Sequence, residues 1–139
     1  MRTVSELTDI FRARGLRVTP QRQAIFGLLQ DDASHPTVDA LYERARVGMP
    51  TISLKTVYQT VHDLEALGEL HVLDLGTGTL RVDPHVEDDH HHLVCTVCGH
   101  VRDVPAELDR FKVPLRYRRE FTVDDIQVIF RGRCESCRS

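Results

Sequence analysis

The stretch SLKTVYQTVHDLEALGELHVLDLGTGTLRVD, Ser53 to Asp83, decides the fold. Its first half repeats Leu54, Val57, Val61, Leu64 and Leu67 at the 3.6-residue period of a helix that buries one face. Ser53 precedes the run as an N-cap and Gly68 follows it as a C-terminal cap. ELHVLDL, the turn GTGT and LRVD then read as a β-hairpin. Upstream, the same signals recur. Val4, Leu7, Ile10 and Phe11 stand at helical spacing over residues 4–14. Thr19-Pro20 is an N-cap with proline at the first helical position, opening a helix with Ile25, Leu28 and Leu29 inward. A third helix starts after Thr37, with Val38, Leu41, Tyr42 and Ala45 inward. Helices closed by a hairpin are the pattern of a winged helix-turn-helix. The helix after Ser53 is then the candidate recognition helix, exposing Lys55, Thr56, Tyr58, Gln59 and His62. Short donors, an aromatic ring and a cation suit groove contact and phosphate anchoring, although an ordinary solvated face has a similar composition.

The polar segment PHVEDD after Asp83 reads as a hinge, giving two domains, 1–83 and 84–139, in an α+β chain. Beyond it, HHLVCTV and HVRDV read as strands flanking the turn at Cys98-Gly99. PAELDRF reads as a short helix, and FTVDDIQVIFRG as a third strand. A second domain of about 55 residues is small enough to need a metal staple or a partner subunit.

The whole chain has 139 residues, of which 41% are hydrophobic, which supplies a core and excludes a disordered chain. No apolar run reaches the roughly 20 residues of a membrane span, and MRTVSELTDIFRARG lacks the apolar core of a signal peptide, so a cytoplasmic location is expected. The net charge of −3 gives no basic footprint over the whole chain. A nucleic-acid role must rest on local charge, which Arg2, Arg12, Arg14, Arg17 and Arg22 provide against Glu6 and Asp9.

The second informative stretch is DDHHHLVCTVCGHVRD, Asp88 to Asp103. Cys95-x-x-Cys98 pairs with Cys134-x-x-Cys137. In a reducing compartment two such units read as four thiolate ligands closing a structural Zn2+ shell that clips the C-terminal end back onto its first strand. A closed shell has no open position for substrate. His90 and His92 project to one face of a strand and His91 to the other. Asp83, Asp103 and His35 could join the first two in a mixed nitrogen and oxygen site suited to Fe2+ or Mn2+. Spacing alone is equally compatible with a solvated strand end.

Together LRVTPQR (Leu16 to Arg22), HPTVDALY (His35 to Tyr42), SLKTVYQTVHDLEALG (Ser53 to Gly68), HHHLVCTVCG (His90 to Gly99) and the terminal CxxC resemble the ferric uptake regulator superfamily over nearly the full length. The resemblance implies a homodimeric, metal-dependent repressor of a double-stranded DNA operator, an inverted repeat. Its N-terminal domain would be a winged helix and its C-terminal domain a small α/β dimerisation domain. It further implies structural zinc on Cys95, Cys98, Cys134 and Cys137, and a regulatory site for Fe2+ or Mn2+ on His35, Asp83, His90, His92 and Asp103. DNA contacts would come from Arg17, Ser53, Lys55, Thr56, Tyr58 and Gln59. Glutamate is usual at the last regulatory ligand in iron-uptake regulators, and aspartate in the peroxide-sensing PerR group. Asp103 is therefore similar to the PerR pattern, and the chain also looks similar to actinobacterial relatives that control catalase genes. In that group peroxide reacts with bound Fe2+ and oxidises a ligand histidine, here His35 or His90. Two positions depart from the family pattern. Ile126 stands about where many members carry a histidine of a further metal site, and Gln59 stands where many carry arginine.

Two rival functions stay open. One is a regulator of the same fold that reports iron, manganese or zinc supply without sensing peroxide. The other is a metal-dependent hydrolase built on His90, His92 and Asp103. The hydrolase leaves the first half of the chain without a catalytic role, so no enzyme activity, small-molecule substrate or membrane partner is expected.

Overall fold

The structure is a computed structural model that describes residues 1–105, 107 and 111–139. The chain divides into two compact units, Met1–Asp88 and Asp89–Ser139. Of the expected hinge, residues 84–89, all but Asp89 therefore group with the first unit.

The first unit contains four helices, α1 (Val4–Ala13), α2 (Pro20–Leu29), α3 (Val38–Gly48) and α4 (Leu54–Ala66), then strands β1 (His71–Leu73) and β2 (Arg81–Asp83). Each helix starts where a short hydroxylated side chain accepts an otherwise orphaned backbone N–H: Thr3 from Glu6, Thr19 from Arg22, Thr37 from Ala40 and Ser53 from Thr56. Helix α4 ends in a Schellman arrangement. The Glu69 N–H donates to the Leu64 carbonyl and the Gly68 N–H to that of Glu65, both at 2.9 Å. This requires the left-handed φ of +73° that glycine adopts without strain at position 68. The chain then reverses into β1, which pairs antiparallel with β2 through Val72 opposite Val82.

Leu7, Phe11, Ile25, Phe26, Leu29, Leu41, Val57, Leu64, Leu70 and Val82 are among the side chains that form one core beneath the helices and the hairpin. Phe11 meets Phe26 edge to face with ring centroids 4.9 Å apart. Leu54 departs from the expected buried face: it is 36% exposed. It occupies the first helical position, where the chain has only just entered α4, whereas Val57, Val61 and Leu64 turn fully inward.

The second unit is a three-stranded sheet in the order β4-β3-β5, with β3 at His90–Cys95, β4 at Val101–Pro105 and β5 at Ile129–Gly132. β3 pairs antiparallel with β4 and parallel with β5. A single turn, α5 (Leu115–Arg118), follows Pro114, which stands at its N-cap. The short helix expected over PAELDRF lies largely outside the described residues. The third strand is shorter than the sequence predicts, since only Ile129–Gly132 of residues 121–132 pairs in the sheet. The ladder stops at Val128, whose N–H donates to Nδ1 of His91 at 3.1 Å and not to a backbone carbonyl. Just upstream, Asp124 and Asp125 are poor strand formers. Among the described residues this unit fully buries few apolar side chains, namely Val94, Cys95 and Val101. Leu93, Phe111, Leu115, Phe121 and Phe130 are exposed.

Candidate metal centres and nucleic-acid interface

Cys95 ends β3, and the tight turn after it places Cys98 on the same side, the Gly99 N–H returning to the Cys95 carbonyl at 3.0 Å. The second pair is built alike, with the Cys137 N–H on the Cys134 carbonyl at 2.9 Å. The two turns meet because Thr96 pins Gly132, its N–H donating to the Gly132 carbonyl at 2.8 Å. All four sulfurs lie within 4.8 Å of one another. Cys98 Sγ and Cys134 Sγ are 3.7 Å apart, close to the edge of about 3.8 Å that a tetrahedron with 2.3 Å metal–sulfur bonds would have.

The thiols share their protons unequally. Backbone N–H groups of Cys98, Cys134 and Val97 point at the Cys95 sulfur and lower it to about 6. Thiol contacts with Cys134 and Cys98 push Cys137 up to about 12. Four adjacent thiols cannot all ionise without a cation to take the charge, so this donor set fits a soft divalent ion.

Nitrogen and oxygen donors form a further group in each unit. In the second unit, Asp103 on β4 stands directly opposite His92 on β3. Its Oδ1 lies 3.6 Å from Nε2 of both His90 and His92. The two imidazoles meet edge to face at 4.9 Å. A spacing of 3.6 Å is too long for a hydrogen bond but is what two donors about 2.1 Å from a common ion span at an angle near 120°. Two histidines with one carboxylate is also a donor set that suits Fe2+. His91, on the other face, is held by Val128.

In the first unit, His35 and Asp83 are buried, and His35 Nε2 lies 3.7 Å from Asp83 Oδ1. The Ala33 carbonyl 3.0 Å from Nδ1 can only accept, so Nδ1 carries the proton and Nε2 offers its lone pair. His35 sits at a left-handed φ of +52°, uncommon outside glycine although histidine is among the side chains that tolerate it. Its loop is braced on both sides. Asp32 accepts from the Ser34 N–H at 2.8 Å and takes the Arg44 guanidinium at 2.5 Å, and Arg44 also donates to the Leu28 carbonyl. From the hairpin, Arg81 donates to the His35 carbonyl at 3.2 Å and the Val82 N–H to that of Pro36 at 2.8 Å. The sequence reading missed Arg44 and Arg81. Only Asp32-x-Ser34, a turn signature, hinted at an ordered loop.

Of the residues expected to meet DNA, Arg17, Ser53, Lys55, Tyr58 and Gln59 are exposed and Thr56 is half-buried. Tyr58 is 50% exposed despite its size. Ser53 and Thr56 share a hydroxyl hydrogen bond of 2.9 Å at the N-terminus of α4. Helix α4 is fixed to α2 by an ion pair absent from the sequence reading: Arg22 Nη2 lies 2.7 Å from Asp63 Oδ2, and the guanidinium sits 5.4 Å from the Phe11 ring centroid. No helix among the described residues is long and apolar enough to cross a membrane.

The ferric uptake regulator family model matches residues 13–131. The chain belongs to this family. Its members are metal-responsive transcription regulators, not enzymes, and they are dimers that bind DNA operators. A peroxide-responsive repressor, PerR, of Staphylococcus epidermidis is 31% identical over 91% of this chain and 85% of its own length. Among solved structures, a zinc-bound manganese uptake regulator is 30% identical with a TM-score of 0.75, covering 96% of this chain and 99% of the other. A peroxide stress regulator of Campylobacter jejuni is 26% identical with a TM-score of 0.69, covering 99% of this chain and all of the other. The family fold is that of a winged-helix DNA-binding domain followed by a dimerisation domain, and the helices, hairpin and sheet described above are its parts.

Proposed function

We propose that the protein is a homodimeric repressor that holds an inverted-repeat operator when Fe2+ or Mn2+ is bound and releases it when peroxide oxidises a ligand histidine. The observation that carries this reading is the Asp103 carboxylate turned toward both His90 and His92, a nitrogen and oxygen set separate from the four thiols. In this reading Cys95, Cys98, Cys134 and Cys137 hold structural zinc. His35 and Asp83 from one unit and His90, His92 and Asp103 from the other are ligands of a single regulatory ion. Exposed Leu93, Phe121 and Phe130 support a second copy covering the C-terminal unit, which would otherwise leave large apolar side chains in water.

The mechanism is a population shift. Ligands drawn from both units tie them into one arrangement, and the twofold dimer then presents two copies of α4 to major grooves about 34 Å apart. Passing from mostly open to mostly closed takes about 5.5 kcal/mol of differential binding, which five ligands can supply. Lys55 then neutralises phosphate, Arg17 reaches the minor groove, and Tyr58 and Gln59 face base edges. His35, Asp83, His90, His92 and Asp103 would hold Fe2+, which would supply one electron for cleavage of the peroxide O–O bond next to His35 and His90. His35 or His90, carrying an added oxygen, no longer offers the same nitrogen donor, and the units separate.

A second reading, a metal-supply regulator for iron, manganese or zinc without peroxide sensing, is favoured by the similarity to a manganese uptake regulator. Asp103, the residue type of the peroxide-sensing group, favours the first. Both readings require metal-dependent retention of DNA. The purified dimer, incubated with duplex DNA from its own promoter region, is expected to retain it with Mn2+ and release it on chelation. Retention that ignores metal would refute both.

A further inference from the structure

Gln59 stands on the exposed face of α4, and its surroundings fix which way its amide points. Gln59 Nε2 donates to Asp63 Oδ1 at 3.1 Å, one helical turn along. A carboxylate only accepts, so the amide cannot flip without setting oxygen against oxygen. Asp63 is not free to follow such a flip either, because its other oxygen is taken by Arg22 of α2 at 2.7 Å, with both side chains largely buried. Arg22 is in turn stacked against Phe11 of α1. Three helices thus hold one surface amide in one orientation. One N–H of Gln59 is used by Asp63, which leaves the other N–H and the neighbouring Oε1 for a ligand.

A donor beside an acceptor matches the major-groove edge of adenine, which offers N7 as acceptor and the N6 amino group as donor. Guanine offers two acceptors there, N7 and O6, and would set its O6 against Gln59 Oε1. We infer that Gln59, oriented by the Arg22–Asp63 pair, is a specificity-determining residue that selects adenine over guanine at one position of each operator half-site. The inference rests on the operator-binding reading above.

The test is selection from a random-sequence duplex library by the full-length dimer with Mn2+, for wild type, Gln59→Ala and Gln59→Arg. Gln59 is exposed, so neither change disturbs the core. Wild type is expected to enrich adenine over guanine by about 10-fold at one position per half-site. Gln59→Ala should level that position alone, and Gln59→Arg should turn it toward guanine, whose two acceptors suit the guanidinium fork. An enriched motif that is identical for wild type and Gln59→Ala would overturn the inference while leaving operator binding intact. No enriched motif from the wild type would overturn operator binding, and the inference with it.

Discussion

A Cys134→Ser chain is expected to lose its zinc, its dimer and the fold of its C-terminal unit together, while the helices of the first unit persist. The reason is an imbalance between the two units. Met1–Asp88 has a continuous apolar core reaching from Leu7 to Val82, whereas the described part of Asp89–Ser139 fully buries little beyond Val94, Cys95 and Val101. A sheet with so little core depends on its staple, and structural zinc in small domains contributes on the order of 10–16 kcal/mol of apparent binding energy. Cys134 is central to that staple: its N–H points at the Cys95 sulfur at 3.4 Å, and its carbonyl accepts from both Cys137 and Arg138. Metal analysis should fall from one zinc per chain to almost none, sedimentation should report monomer, and the far-ultraviolet helical signal should largely survive. A stable zinc-free dimer would contradict the structural role assigned to the four cysteines.

The other large effect is expected at His35. Replacing it by Ala should leave zinc content and the dimer unchanged and weaken metal-dependent operator binding by more than about 100-fold. Loss of an outer-shell partner of a metal site already costs roughly 10–100-fold, and His35 is proposed to be a ligand itself. Alanine at a φ of +52° adds backbone strain of its own. His35→Asn controls for this, since asparagine tolerates the left-handed region. Titration of Mn2+ against DNA retention should show both variants needing far more metal. If the dimer dissociated in either variant, the division of labour between the two donor sets would be wrong.

Much of this architecture was readable from residue order because the signals are local. Thr19-Pro20, Thr37 and Ser53 cap their helices through the next turn of backbone, and the period of Val57, Val61 and Leu64 is set by helix geometry alone. Two CxxC units carry their own turns. The alternation of a strand likewise separates His91 from His90 and His92. What could not be read depends on residues brought together by the fold. The third strand stops early because the His91 ring, 37 residues away, takes the Val128 N–H. Arg22 and Asp63 lie on different helices, so no spacing rule connects them. The loop that carries His35 is braced from outside, by Arg44 on one side and the hairpin on the other. Leu54 is exposed because periodicity marks a face but not where along the helix that face meets its neighbours.

The measurement that tests the central claim most directly is DNA retention by the dimer under anaerobic conditions, loaded with Fe2+ or with Mn2+ and then given low peroxide. Mass analysis of the peptides that carry His35 and His90 accompanies it. The account predicts that only the iron form releases DNA, with one added oxygen on either histidine. Retention that survives peroxide in both forms and follows metal concentration alone would contradict it, and would make this a regulator of metal supply.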